Sequence, residues 1–88
     1  MRKREIQKSK IVILKKKFPI YKEYSFMSLP NTDEVIGYTT PGDQAVITYC
    51  EDDQNYAEFV IITGKHNGYD NLALYPADYK YLETWKKK

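Results

Sequence analysis

The fold is decided by two neighbouring stretches, Gln44-Ala45-Val46-Ile47-Thr48-Tyr49-Cys50 and Tyr56-Ala57-Glu58-Phe59-Val60-Ile61-Ile62-Thr63. Both are rich in β-branched and aromatic residues, which are enriched in strands. The residues that connect them, Glu51-Asp52-Asp53-Gln54-Asn55, are polar and have the length of a hairpin loop. The sequence therefore predicts an antiparallel hairpin with an acidic connection.

Shorter strand candidates lie on both sides of this hairpin. They are Ile11–Leu14, Tyr21–Leu29 and Glu34–Thr39 before it, and Asn71–Tyr75 and Lys80–Trp85 after it. Each is rich in β-branched or aromatic residues or alternates apolar with polar residues, as half-buried strands do. No long stretch places apolar residues at helical spacing, so the pattern indicates an all-β fold.

Turn-forming residues separate these strands. Pro30-Asn31-Thr32-Asp33 predicts a loop, and Thr40-Pro41-Gly42-Asp43 predicts a type II turn, in which glycine supplies the positive φ. Asn67-Gly68 is a strong hairpin signal, and Pro76–Tyr79 is typical of a single helical turn. Regular turns between short strands favour a small barrel of five to six strands.

The length of 88 residues accommodates one domain. We expect that domain to span residues 11–85. A basic N-terminal tail, residues 1–10, and a basic C-terminal tail, residues 86–88, are expected to be partly disordered.

Charge is sorted by position along the chain. Residues 1–17 contain eight Lys and Arg against Glu5 alone, whereas residues 18–85 contain three Lys against eleven carboxylates. Three lysines end the chain, so the net charge of +2 conceals an acidic body between basic ends. Opposite fields of this kind predict an electrostatic partner.

Cys50 is the only cysteine, so no disulfide can form within the chain and a reducing, cytoplasmic compartment is expected. The apolar run Ile11–Leu14 is shorter than a signal peptide requires, and no apolar stretch has the length of a membrane span. We therefore expect no membrane association.

The residues from Gly42 to Tyr79 resemble part of the Src-homology-3 domain. Gly42-Asp43 is similar to that family's Gly-Asp after its diverging turn, and Asp52-Asp53 follows at the family's spacing. Ala73-Leu74-Tyr75-Pro76-Ala77-Asp78-Tyr79 is similar to the family's closing Gly-Leu-Phe-Pro-Ser-Asn-Tyr. The resemblance implies a partly open, SH3-like barrel of five strands.

The family binds proline-rich peptides in a groove, and the resemblance carries two groove residues over as Pro76 and Tyr79. Tyr56 corresponds to the second of two adjacent aromatics in the family. The tryptophan that forms the central wall of the groove corresponds to Asn55, which offers no aromatic face for a polyproline helix. The resemblance therefore implies barrel geometry more than proline-rich ligands.

Catalysis is not expected. The only histidine, His66, lies in a predicted turn, and the serines stand in separate segments without a surrounding motif. Carboxylates next to Cys50 would raise the pKa of its thiol and so disfavour a nucleophile. The acidic residues lack the spacing of a calcium loop, so neither a metal site nor a cofactor is predicted.

The favoured interpretation is a non-enzymatic module that binds another protein through an acidic, tyrosine-rich face. Charge would set the rate of association, and aromatic area would set the affinity. The residues expected to carry this binding are Asp43, Asp52, Asp53, Tyr56, Tyr75, Pro76 and Tyr79. Small accessory or inhibitor proteins of phage and mobile elements have this character.

The alternative is a nucleic-acid-binding protein that grips phosphates without reading bases. Its candidate residues are Arg2, Lys3, Arg4, Lys8, Lys10, Lys15, Lys16 and Lys17. A third possibility is weak self-association, in which the basic ends of one copy dock on the acidic body of the next. Otherwise a monomer is expected.

Overall fold

The computed structural model of the chain describes residues 1–23 and 30–86. Strand β1 (Ile11–Leu14) lies inside a five-stranded antiparallel sheet, between β4 (Gln44–Cys50) and β7 (Leu82–Thr84). Strand β5 (Ala57–Ile61) pairs with β4, and β6 (Leu72–Leu74) pairs with β5. The order β6-β5-β4-β1-β7 leaves β6 and β7 as the edges, because no pairing joins them among the described residues.

A second sheet is formed by β2 (Pro19–Glu23) and β3 (Pro30–Tyr38), which pair antiparallel with irregular register on both sides of Tyr21. It contacts the connection between β5 and β6, where the Tyr69 hydroxyl donates a hydrogen bond to the Tyr21 carbonyl at 2.9 Å. The predicted all-β class is confirmed: residues 1–23 and 30–86 form seven strands in two antiparallel sheets, where five or six strands in one barrel are predicted. These strands do not close into a barrel.

The alternation of buried and less buried residues along the strands explains which side chains form the core. In β5 every second residue is buried, and the first half of β4 follows the same rule. The buried apolar side chains come from all five strands of the larger sheet, from β2 and from three residues outside the strands: Ile6, Val12, Leu14, Phe18, Ile20, Ala45, Ile47, Ala57, Phe59, Ile61, Leu72, Leu74, Tyr79 and Leu82. Because the two sheets contribute to one cluster, they form a single packed unit.

Residues 1–10, predicted to be a partly disordered basic tail, contact the domain at several points. Lys3–Glu5 forms a short 3-10 helix, and Ile6 is completely buried in the core. The Ser9 amide donates to the Ile47 carbonyl at 2.7 Å, and the Ile47 amide donates to the Lys10 carbonyl at 2.9 Å. One apolar side chain and this backbone pairing with β4 therefore make the segment part of the domain.

Two turn predictions have different outcomes. The Thr40–Asp43 turn is confirmed, since the Asp43 amide donates to the Thr40 carbonyl at 2.9 Å and Gly42 has a φ of 101°. The Pro30–Asp33 loop is wrong, because these residues form the start of β3. Proline is tolerated there as the first residue of a strand. The remainder of the predicted strand Tyr21–Leu29, residues 24–29, lies outside the described residues.

The predicted helical turn at Pro76–Tyr79 is confirmed and extends to Tyr81 as a second 3-10 helix, Pro76–Tyr81. The strand predicted from Lys80 to Trp85 is consequently shorter, Leu82–Thr84. Neither of the short helices in the described part of the chain approaches the length and apolarity needed to cross a membrane.

Candidate protein-binding face

Three tyrosines form a row across one end of the β4-β5-β6 sheet. Tyr49 lies near the end of β4, Tyr56 directly precedes β5, and Tyr75 directly follows β6. The pairing of Cys50 with Ala57, and of Ala57 with Leu74, brings these positions together. The Tyr56 ring centroid is 6.2 Å from that of Tyr49 and 5.5 Å from that of Tyr75, with tilted ring planes. These are the distances and tilts at which aromatic pairs attract.

The two outer rings of this tyrosine row are accessible. Tyr49 is 48% exposed and Tyr75 is 55% exposed, whereas Tyr56 between them is half-buried. Large exposed aromatics in mutual contact are common in protein interfaces and less common elsewhere on a surface. The row therefore presents a continuous aromatic area to solvent.

Carboxylates border the tyrosine row. Glu51, Asp52 and Asp53 are exposed in the connection between β4 and β5, and Glu58 lies opposite Tyr49 in the strand register. Asp53 accepts hydrogen bonds from the Asn55 amide and from Asn55 Nδ2, both at 3.0 Å. These bonds restrain the conformation of the loop, and the Asp52 side chain is exposed to solvent. A shallow depression of about 350 Å³ lies over the loop residues.

The pKa of the Tyr56 hydroxyl reflects the electrostatic environment of the tyrosine row. Burial, and secondly the negative charge of Glu58, raise the pKa of Tyr56 from 10 to about 12. Tyr56 is therefore a neutral phenol at physiological pH, in a locally negative field. Such a field favours a cationic partner.

We call this surface the acidic tyrosine face and define it as the tyrosine row, the bordering carboxylates and the exposed Pro76 beside Tyr75. Of the predicted protein-binding residues, the structure brings Asp52, Asp53, Tyr56, Tyr75 and Pro76 together on it. The sequence reasoning missed Tyr49 and Glu58. Both occupy positions at the loop end of the predicted hairpin, so cross-strand pairing with Tyr56 as a reference could have found them.

Tyr79 does not lie on this surface. Its side chain is only 2% exposed, and its hydroxyl donates a hydrogen bond to the Gln54 carbonyl at 2.9 Å. Burial is also the main cause that raises the pKa of Tyr79. The expectation that Tyr79 lines a ligand groove is therefore wrong, since Tyr79 instead anchors the acidic loop to the core.

Asp43 is also displaced from the predicted group. It lies at the opposite end of β4 from Asp53, and seven strand residues separate the two by about 20 Å. Its carboxylate accepts hydrogen bonds from the Thr40 amide at 2.8 Å and from the Thr63 hydroxyl at 3.1 Å. Asp43 therefore stabilises the turn before β4 and is not part of the acidic tyrosine face.

The basic residues of the alternative interpretation are divided among different environments. Lys15 forms an exposed ion pair with Glu83 at 3.0 Å. Lys16 is 3.8 Å from Asp78, and its ammonium lies 4.3 Å from the centre of the Tyr81 ring. The side chains of Arg2, Lys3, Arg4, Lys8 and Lys17 are exposed, and that of Lys10 is half-buried. Lys15 and Lys16 thus already have partners within the chain. This weakens the hypothesis that the basic residues form a continuous phosphate-binding surface.

Among the described residues, no group of three or more His, Cys, Asp or Glu side chains is arranged to hold a metal ion. The chain matches no protein-family model, and neither the curated proteins nor the solved structures contain a match to it.

Proposed function

We propose that this chain is a non-enzymatic protein-binding module that captures a basic partner through the acidic tyrosine face. The observation that carries the proposal is the contact of three tyrosine rings, two of them about half exposed, directly beside the acidic loop. Such aromatic area can supply affinity, while the carboxylates attract and orient a cationic surface. A role as a small accessory or inhibitor protein belongs to the same proposal.

An SH3-like barrel remains part of this proposal. A five-stranded antiparallel sheet with open edges supports it, as does the helical turn that precedes the last strand. The surface argues against the family's proline-rich ligands, however. Asn55 is exposed and has no aromatic ring, and Tyr79 is buried. A basic protein surface therefore suits this chain better than a polyproline helix.

The test of the charge component is affinity capture from the native host with immobilised protein, followed by mass spectrometry. The variant D52K/D53K reverses two charges on the acidic tyrosine face. The matched control E34K/D70K makes the same change in net charge at exposed positions on β3 and in the β5-β6 connection. We expect the first variant to lose the captured partner and the control to retain it. Equal capture by both variants would contradict the proposal.

The aromatic component has an equally matched pair of variants. Tyr75 and Tyr38 are 55% and 56% exposed, and only Tyr75 belongs to the tyrosine row. Once a partner is identified, Tyr75→Ala should weaken its binding by about tenfold or more, as expected for an aromatic hot spot, whereas Tyr38→Ala should leave it unchanged. The same loss for both variants would show that exposed aromatic area alone is responsible.

Nucleic acid is the alternative partner, and a salt titration separates it from the proposal. If the basic residues bind phosphates, affinity for a DNA duplex should fall steeply with salt and should decrease in the variant R2Q/K3Q/R4Q. Under the protein-binding proposal, this variant should capture the partner as the wild type does. Ile6 is unchanged in it, so the core is preserved.

A further inference from the structure

The outer rings of the tyrosine row are not covered by their neighbours. The ring of Tyr56 is inclined by 60° to that of Tyr49 and by 57° to that of Tyr75, so no two of these rings are stacked face to face. Tyr49 also lines the depression over the acidic loop, together with residues 50–53. A half-exposed aromatic ring and several carboxylates therefore border the same depression.

Two of these carboxylates have no partner within the chain. Asp53 uses one oxygen for the Asn55 amide and the other for Asn55 Nδ2. Within residues 1–23 and 30–86, the carboxylates of Glu51 and Asp52 take part in no hydrogen bond or ion pair. Both side chains are exposed, so they are free to pair with a cation that a partner presents.

The chain itself contains a cation held by a tyrosine and a carboxylate. The Lys16 ammonium lies 4.3 Å from the centre of the Tyr81 ring and 3.8 Å from the Asp78 carboxylate. Attraction to the face of the ring and to the negative charge acts on the same ammonium there. The depression beside Tyr49 offers the same two components, and none of the lysines or arginines in the described part of the chain lines it.

The arrangement beside Tyr49 suits a planar cation better than a compact one. A guanidinium can lie flat on an aromatic ring while its five N–H donors point outward in the ring plane. A lysine ammonium is a point charge that holds its water more strongly. Glu51 and Asp52 supply the acceptors at the edge of the depression, and carboxylates bind a guanidinium through two parallel hydrogen bonds.

We infer that the acidic tyrosine face selects arginine over lysine, with the guanidinium stacked on Tyr49 and hydrogen-bonded to Glu51 or Asp52. This inference rests on the proposed function, because the depression is part of the acidic tyrosine face. It adds the class of residue that occupies the depression. The basic partner presents an exposed arginine at this point.

The experiment is an NMR titration of the full chain with two peptides of equal charge at one fixed ionic strength. The probes are acetyl-Gly-Arg-Gly-Arg-Gly-amide and acetyl-Gly-Lys-Gly-Lys-Gly-amide. The arginine peptide should produce saturable shifts of the amides of residues 49–53 and should bind about threefold or more tightly than the lysine peptide. Equal affinities for the two peptides, or shifts confined to other residues, would overturn the inference.

Variants of Tyr49 test the stacking. Tyr49→Leu removes the ring and should bring the affinities for the two peptides together. Tyr49→Phe keeps a ring and should retain the preference for arginine. Tyr38→Leu removes a 56% exposed tyrosine outside the tyrosine row and should also retain it. A preference that survives Tyr49→Leu, or one that is lost in Tyr49→Phe, would contradict stacking on this ring.

A second pair of variants tests the carboxylates. E51Q/D52N should weaken the arginine peptide by about fivefold, because it removes both acceptors of the guanidinium. The matched control E34Q/D70N makes the same change in net charge at exposed positions outside the face and should weaken it by less than about twofold. Equal weakening by both variants would show that only net charge matters, which contradicts the inference.

The outcomes separate this inference from the proposed function. Loss of the native partner by D52K/D53K, with equal affinities for the arginine and lysine peptides, would overturn the selection of arginine and leave the proposed function supported. A preference for arginine that depends on Tyr49, with unchanged partner capture by D52K/D53K, would support the arginine site and reject the proposed function.

Discussion

Two charged segments lie next to each other in this protein, and they are held by different interactions. The basic segment, residues 1–10, is tied to the domain by the buried side chain of Ile6 and by backbone pairing with β4. The acidic loop, Glu51–Asn55, exposes its carboxylates and is anchored through the Gln54 backbone carbonyl. Gln54 Nε2 also donates to the Ile6 carbonyl at 3.0 Å, which joins the two segments. The charge of a segment therefore indicates that its side chains reach solvent. It does not indicate whether the backbone of that segment is ordered.

Charges within the basic segment also interact with one another. Glu5 lies in the basic segment, where a hydrogen bond from the Arg2 backbone amide, and then the nearby positive charges, hold its pKa below the usual value. Basic residues also meet carboxylates of the acidic body in the ion pairs of Lys15 with Glu83 and of Lys16 with Asp78, so part of the opposite charge is paired within one molecule. Self-association through basic ends and acidic body would have to compete with these internal contacts. A monomer with one exposed acidic surface is the better-supported proposal.

The largest expected effect comes from Ile6, the residue that distinguishes the two segments. Ile6→Ala should lower the free energy of unfolding by about 2–4 kcal/mol, because it leaves a cavity in the core. Ile6 is 0% exposed, and Ile36, at 57% exposed, is the matched control. Ile36→Ala should change the free energy by less than about 0.5 kcal/mol. Denaturant unfolding of both variants measures the difference. Equal values would mean that the basic segment is a loose tail after all.

Ile6 also shows what the sequence could not supply. A single isoleucine among six charged residues from Arg2 to Lys10 has no periodicity, so local pattern offers no reason to place it in a core. Its burial depends on β4 being positioned beside it, which is a tertiary effect. By contrast, β4 was predicted with its observed bounds because its strand residues stand between clear turn signals.

The candidate site divides in the same way. Tyr56 and Tyr75 are candidates because they lie in the segment that resembles the Src-homology-3 domain, and the pairing of β5 with β6 explains why their rings meet. Asp43 was grouped with Asp53 because both are acidic and close in sequence, although the strand between them carries them apart. Tyr79 was assigned to a groove by resemblance, whereas its burial depends on how the 3-10 helix packs. Residue types therefore predict which interactions a site can offer. The packing of the fold determines which of those residues a partner can reach.

A smaller effect is expected at Tyr79, which anchors the acidic loop. Tyr79→Phe removes the hydrogen bond to the Gln54 carbonyl and should cost about 1 kcal/mol of stability. Tyr75→Phe makes the same chemical change at a 55% exposed position and should be nearly neutral. Thermal or denaturant unfolding tests both. If Tyr79→Phe is as neutral as Tyr75→Phe, the acidic loop is held in place without this anchor.

The smallest effect concerns the charge beside the acidic loop. The pKa of Tyr56 is raised to about 12 in the folded protein, against about 10 in the unfolded chain. The unfolded chain therefore loses this proton first as pH rises, so the stabilisation from neutral Tyr56 is complete below pH 10 and declines toward pH 12.

Tyr56→Phe has no such proton to lose. The unfolding free energy of the wild type relative to that of Tyr56→Phe should fall as the pH is raised from about 9 to 11, measured by urea unfolding at each pH. Because the comparison is a difference, titration of lysines and other tyrosines affects both proteins alike. A difference that stays constant over this range would show that burial and Glu58 do not hold the Tyr56 proton, and that the field at the tyrosine row is weaker than its geometry implies.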